Sequence, residues 1–212
     1  MRILLAGATG LVGSHALPIL LDDPRCTRVI APTRRPLPLR HAKLDNPVLD
    51  FDGVGAAARH WQVDAAICAL GTTMKQAGSR EAFRRVDHDY PLALAQSLRE
   101  EGTEVFVLNS AMGADVGSRF FYSRVKGELE RDLRALRFGS LVLVRPGLIG
   151  GERAGPPRAG ERIGMAVLGV LGPVLPRAWR INPAESIARA MVGTALQPPP
   201  GEHVIDSAQL AG

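Results

Sequence analysis

The chain opens on an apolar run, Ile3-Leu4-Leu5-Ala6, that ends at once in Gly7-Ala8-Thr9-Gly10-Leu11-Val12-Gly13, and an apolar-periodic segment follows from Val12 to Leu21. A buried strand that turns on glycines spaced three and three and then enters a helix has few ways to fold. Small residues at such a turn let backbone amides and the helix N-terminus approach a pyrophosphate. The glycine spacing alone says little, because a chain with 23 glycines in 212 residues meets it roughly 0.3 times by chance. Its weight comes from context, between a hydrophobic strand and an amphipathic helix at the head of an alternating chain.

That alternation continues. Short apolar runs at Val29 to Ala31, Val48 to Leu49, Ala65 to Leu70, Val105 to Leu108 and Leu141 to Val144 read as strands buried on both faces, as in a parallel sheet. Helix patterns cover Gly53 to His60, Arg80 to Glu100, Ser118 to Leu136 and Ala184 to Leu196, and a last strand is expected around His203 to Ile205. Strands alternating with helices predict an α/β fold, a doubly wound parallel sheet of Rossmann type. Nothing in the length demands more than one domain, so a single one is expected over 1–212, with 147–196 expected to cover the carboxyl ends of the strands, where open α/β sheets bind ligands.

Composition narrows the function classes. The net charge of +5 comes from dispersed arginines with no basic run interleaved with aromatics, which argues against a nucleic-acid partner. The apolar stretch from Ile163 to Leu175 is broken by Gly164, Gly169, Gly172 and Pro173 and is too short to cross a bilayer. Cys26 and Cys68 sit among apolar residues and read as buried free thiols, and the five histidines show no ligand spacing, so no metal is expected. The apolar start reads as a strand and not a signal peptide, which places the expected location in the cytoplasm.

Chemistry is suggested by a pair. The chain has two tyrosines and three lysines, yet Tyr122 and Lys126 stand four apart, a coincidence expected roughly 0.03 times by chance. That spacing sets both side chains on one helix face. An ammonium beside a phenol favours the phenolate, so Lys126 is expected to lower the Tyr122 pKa and fit it for acid catalysis in a carbonyl reductase; the bland alternative is a solvated face. The second strand leads into Pro32-Thr33-Arg34-Arg35 with no acidic residue to take a ribose hydroxyl. An arginine there suits a 2′-phosphate, so NADP(H) is favoured over NAD(H), with Arg34 and Arg35 as candidate ligands.

With Leu70-Gly71-Thr72-Thr73, Arg85-Val86-Asp87-His88-Asp89-Tyr90, Ser110-Ala111-Met112-Gly113-Ala114-Asp115, Tyr122 to Glu128 and Arg145-Pro146-Gly147, the chain resembles the short-chain dehydrogenase/reductase superfamily. Within it, the resemblance is to the atypical branch of Tat-interacting oxidoreductase-like proteins. It implies that Ser110 hydrogen-bonds the substrate carbonyl, Tyr122 exchanges the proton, and Lys126 tunes that acid and holds the nicotinamide ribose. It also implies cofactor contacts from Asp50 and Phe51 at the adenine, Ala69, Leu70 and Gly71 at the fourth strand, and Pro146 and Gly147 beside the nicotinamide. Asp50 reads equally as a loop-entry cap, and Pro146-Gly147 as a plain turn. Asp87 stands where relatives carry a relay Asn. The short substrate region suits a small carbonyl or alcohol rather than a nucleotide sugar, and the long helices are faces on which relatives form homodimers. The rival expectation is a cofactor-sensing regulator without turnover.

Overall fold

Alternate residues of each central strand go to opposite layers, and this period of two builds the molecule. In the computed structural model, which describes residues 1–150 and 180–211, β1 (Arg2–Ala6), β2 (Arg28–Ile30), β3 (Leu44–Asp45), β4 (Ala65–Cys68), β5 (Val105–Asn109), β6 (Ser140–Arg145) and β9 (Gly201–Asp206) form one sheet. Its order is β3-β2-β1-β4-β5-β6-β9, with every pairing parallel. The expected doubly wound α/β fold is present.

One face of the sheet, through Ile3, Leu5, Val29, Ile67, Val107 and Val144, packs on α1 (Gly13–Asp22) and α7 (Ala184–Leu196). The other, through Leu4, Ala6, Cys68, Phe106, Leu108 and Leu143, packs on α2 (Val54–Ala58), α5 (Tyr90–Glu100) and α6 (Phe121–Ala135). Helix α7 was expected in the covering segment. Its stripe Ile187, Ala188, Met191, Val192 and Ala195 instead fills the sheet's own layer beside α1. Two-residue strands β7 (Ile149–Gly150) and β8 (Asn182–Pro183) pair with each other, and α8 (Ser207–Leu210) follows β9. The apolar segment Ile163 to Leu175 and Trp179 lie outside the described residues.

Two element boundaries differ from the sequence reading. The third strand was expected at Val48 to Leu49 but runs at Leu44–Asp45, with Val48 reduced to a single bridge to Thr33. Pro47 has no amide to continue the ladder, while Asn46 donates to the Ala31 carbonyl (2.6 Å) and the Thr33 hydroxyl (2.8 Å). The long helix expected from Arg80 is continuous but not uniform: α4 (Arg80–Arg84) passes through a π-helical turn, Arg85–Asp89, into α5. A short helix α3 (Met74–Ala77) precedes it.

Candidate functional site

The strand order reverses between β1 and β4, and the loops at their carboxyl ends meet there. Gly7 takes φ +90°, and a Cβ on it would lie 2.6 Å from the Ala69 carbonyl carbon, so only glycine lets the turn close against the end of β4. Among the described residues, the amides of Leu11, Val12 and Gly13 at the start of α1 have no backbone acceptor. The turn thus offers backbone donors and the positive end of a helix, a fit for a pyrophosphate. Ala8 is buried in the turn, whereas Thr9 and Gly10 face solvent.

The same end of the sheet gathers the other strand termini. Ser110 donates its amide to the Val144 carbonyl (2.7 Å) and Met112 its amide to the Pro146 carbonyl (2.8 Å), drawing the β5 and β6 loops together. Gly147 donates its amide to Asn182 Oδ1 (2.7 Å), and Asn182, fully buried, donates in turn to the Ser207 carbonyl (2.9 Å). Asn182 was not singled out in the sequence, where nothing but its place before a helix marks it.

Helix α6 carries the candidate pair Tyr122 and Lys126. Tyr122, Lys126 and Glu130 recur every fourth residue, and the stripe faces the sheet at Lys126 and Glu130, which are buried. Lys126 Nζ lies 2.8 Å from Asp87 Oδ1, with both side chains almost wholly withdrawn from water. Asp87 Oδ2 accepts the amide of Thr72 (2.8 Å). Tyr122 keeps 43% of its surface exposed, and its ring packs 5.8 Å from that of Phe83. Its pKa is raised: the cost of ionising a phenol in these surroundings outweighs the pull of Lys126, and Asp87 adds to the rise. The expectation that Lys126 brings the phenol below its usual value is therefore corrected, because the cost of burying the phenolate exceeds the pull of the ammonium, and Asp87 opposes that pull further. Burial alone would lower the Lys126 pKa, but Asp87, with Tyr122 and Cys68, holds it above the ordinary lysine value. The Cys68 thiol, fully buried, is pushed up to about 11 and stays protonated.

Ser110 shares the α6 side of the sheet with Leu108 and Phe106, two and four residues earlier, and its hydroxyl donates to Glu130 Oε1 at 2.6 Å. Arg145 donates through Nε to the same oxygen (2.9 Å) and through its terminal nitrogen to the other, and Arg134 lies 3.6 Å from Glu130. The one Ser110 proton, assigned from the sequence to a substrate carbonyl, is engaged by a buried carboxylate. Arg145 makes the sheet-end ion pair that its position suggests, which raises its pKa.

The outlying candidates fall in three places. Arg34 and Arg35 are exposed after β2 with no side-chain partner among the described residues, while the Thr33 hydroxyl donates to the Arg35 carbonyl (2.7 Å) and shapes the turn. Asp50 caps the 3₁₀ turn Phe51–Gly53 by accepting the Asp52 amide, the loop-entry role open to it from the sequence. Phe51 is buried, its ring 6.0 Å from that of Tyr90, whose hydroxyl donates to Asp52 (2.6 Å). Ala69 is buried against the glycine turn, with Leu70 partly and Gly71 fully at the surface beside Asp87.

Known proteins with similar sequence and fold bear on these residues. The model of the NAD dependent epimerase/dehydratase family matches residues 3–133. The chain is 36% identical to "Protein fmp52, mitochondrial" of Emericella nidulans, covering 95% of this chain and 90% of that protein. It is also 36% identical to the Saccharomyces cerevisiae protein of the same name, over 76% of this chain and 71% of the relative. The fold is similar to that of MoeE5, solved in complex with UDP-glucose and NAD, with TM-score 0.71, 17% identity, and 96% of this chain and 75% of that one covered. UDP-glucose 4-epimerase of Thermotoga maritima, solved with UDP-glucose, gives TM-score 0.71 at 14% identity, covering 97% of this chain and 77% of that one. The relatives' mitochondrial naming overturns the expected cytoplasmic location. That expectation rested on an apolar first strand and reduced cysteines, and neither feature encodes an address. The apolar strand, the glycine turn and the α6 pair all fall within the matched residues, and the chain belongs to the NAD dependent epimerase/dehydratase family.

Proposed function

We propose that the protein is an NADP(H)-dependent oxidoreductase that interconverts a small carbonyl and its alcohol, in keeping with the resemblance to the Tat-interacting oxidoreductase-like branch. The observation that carries this reading is the placement of Tyr122 one turn from a buried, charge-paired Lys126. The turn Gly7 to Gly13 would hold the pyrophosphate and Arg34 and Arg35 the 2′-phosphate, with Ala69 to Gly71 and Pro146-Gly147 lining the remainder. When bound, the nicotinamide supplies or takes up the hydride. Tyr122 gives its proton to the carbonyl oxygen during reduction and reclaims it during oxidation. A phenol is protonated at neutral pH, the form that gives up a proton in reduction. Lys126 steadies the phenolate that remains. Ser110 orients the carbonyl only by releasing Glu130, so Tyr122 carries the larger share of the polarisation.

A panel of NAD, NADH, NADP and NADPH, scored by melting temperature, tests the cofactor, since a ligand that binds only the folded state stabilises it. NADPH is expected to give the largest rise, and Arg34→Ala/Arg35→Ala to reduce that rise while sparing the NADH response. No rise with any of the four removes the reading. One observation favours a second reading, a cofactor-binding module without turnover: the Ser110 hydroxyl already donates to Glu130. Tight NADPH binding with no oxidation of it by any aldehyde, ketone or quinone would select that reading.

A further inference from the structure

Resting on Tyr122 and Lys126 as the reacting pair, we propose that Asp87 is their positioning residue, holding the Lys126 ammonium with one carboxylate oxygen and the Thr72 amide with the other. Each oxygen has one donor, Lys126 Nζ at 2.8 Å from Oδ1 and the Thr72 amide at 2.8 Å from Oδ2. Asp87 is 1% exposed and Lys126 3%, so water does not substitute for either contact. Both donors require an acceptor, and only a carboxylate presents acceptors on both arms. An asparagine would turn an NH₂ toward an N–H or an ammonium. The acid at this position therefore follows from its two neighbours.

The helix is shaped to deliver it. In the π-helical turn Arg85–Asp89, Asp87 and His88 are adjacent yet both buried. Asp87 reaches Lys126, while His88 bridges the carboxylates of Asp89 (2.8 Å) and Asp132 (3.0 Å). A π turn widens the helix locally, and such turns recur at functional sites. Here it links the loop after β4, where Leu70 and Gly71 would meet the cofactor, to the helix that bears the acid. The titratable groups that face Lys126 are Asp87 from the π turn, Tyr122 from α6 and the Cys68 thiol from β4. Among them Asp87 is the carboxylate in direct contact, and it keeps the buried lysine charged.

Lysine labelled with ¹³C at Cε gives three resonances in this chain, from Lys43, Lys75 and Lys126, assignable through Lys43→Arg and Lys75→Arg. In the unaltered protein, Lys126 is expected to titrate above the ordinary lysine value. In Asp87→Asn it should fall by on the order of one to two pH units, and Asp87→Glu should restore most of the shift. Titration of Lys126 at or below the ordinary value in the unaltered protein overturns the proposal, and so does an unchanged titration in Asp87→Asn. The first comparison needs no change at Asp87, so it decides the matter even if Asp87→Asn does not fold. The NADPH melting response is read separately. Its absence removes the functional reading, whereas a misplaced Lys126 titration removes the role of Asp87.

Discussion

Glu130→Gln tests whether the polar cluster behind the site is structural cement. Glu130 is fully buried, and its two oxygens take the Ser110 hydroxyl at 2.6 Å and a two-pronged contact from Arg145, with Arg134 at 3.6 Å. A glutamine keeps the shape but presents an NH₂ to a guanidinium and removes the charge. Stripping one partner from a buried pair costs about 3–5 kcal/mol. Arg145 retains 28% side-chain exposure, so part of its charge is rehydrated and about 2–4 kcal/mol is the reasoned range. For a domain of this size each kcal/mol moves the melting temperature by about 2–4 °C, which gives a fall of roughly 4–16 °C. Scanning calorimetry reads it, alongside Glu130→Gln/Arg145→Met, where no lone buried charge remains and most of the loss should be recovered. A fall under about 2 °C, within the scatter of ordinary surface substitutions, or a double variant no better than the single one, refutes the reasoning.

Three further outcomes are expected. Gly7→Ala forces a Cβ to 2.6 Å from the Ala69 carbonyl carbon at φ +90°. It should cost more than about 1 kcal/mol in denaturant unfolding and abolish the NADPH melting response. Lys126 has a folded-state pKa above its unfolded one, so its stabilisation is complete below the unfolded value and is lost as pH rises through the folded value. An alkaline loss of melting temperature should follow, and Lys126→Met should remove that step. Ser110→Ala should reduce turnover less than Tyr122→Phe, because the Ser110 hydroxyl rests on Glu130.

Much of this architecture is legible in the sequence because strands buried on both faces write themselves as unbroken apolar runs, and Ile3 to Ala6, Ala65 to Cys68 and Leu141 to Val144 lie where those runs fall. The third strand slipped because a proline's missing amide and an asparagine's side-chain bonds decide pairing at an edge, and neither alters hydropathy. Within the candidate site, the glycine turn and the spacing of Tyr122 and Lys126 are local properties and visible in the chain. The direction of Ser110 was within reach, since it keeps step with Phe106 and Leu108 toward the α6 layer. Glu130 left a signal too, an acid one turn beyond Lys126 among the buried residues Val125, Leu129 and Leu133 of its helix. The π turn left none. Its effect, setting Asp87 and His88 on different partners, depends on contacts 39 and 44 residues away that no local pattern encodes. The direction of the Tyr122 shift was missed because a pairwise argument from Lys126 omits first the desolvation of the phenol and then the carboxylate that Lys126 already holds.

The central claim is that Tyr122 is the proton donor of an NADP(H)-dependent carbonyl reductase. The most direct measurement follows NADPH absorbance with a panel of small aldehydes, ketones and quinones, using the parent protein and Tyr122→Phe side by side. Each is first titrated with NADPH to establish its affinity. The account expects turnover by the parent, loss of at least about a hundredfold in Tyr122→Phe, and matching NADPH affinities. Turnover that survives intact in Tyr122→Phe would contradict it.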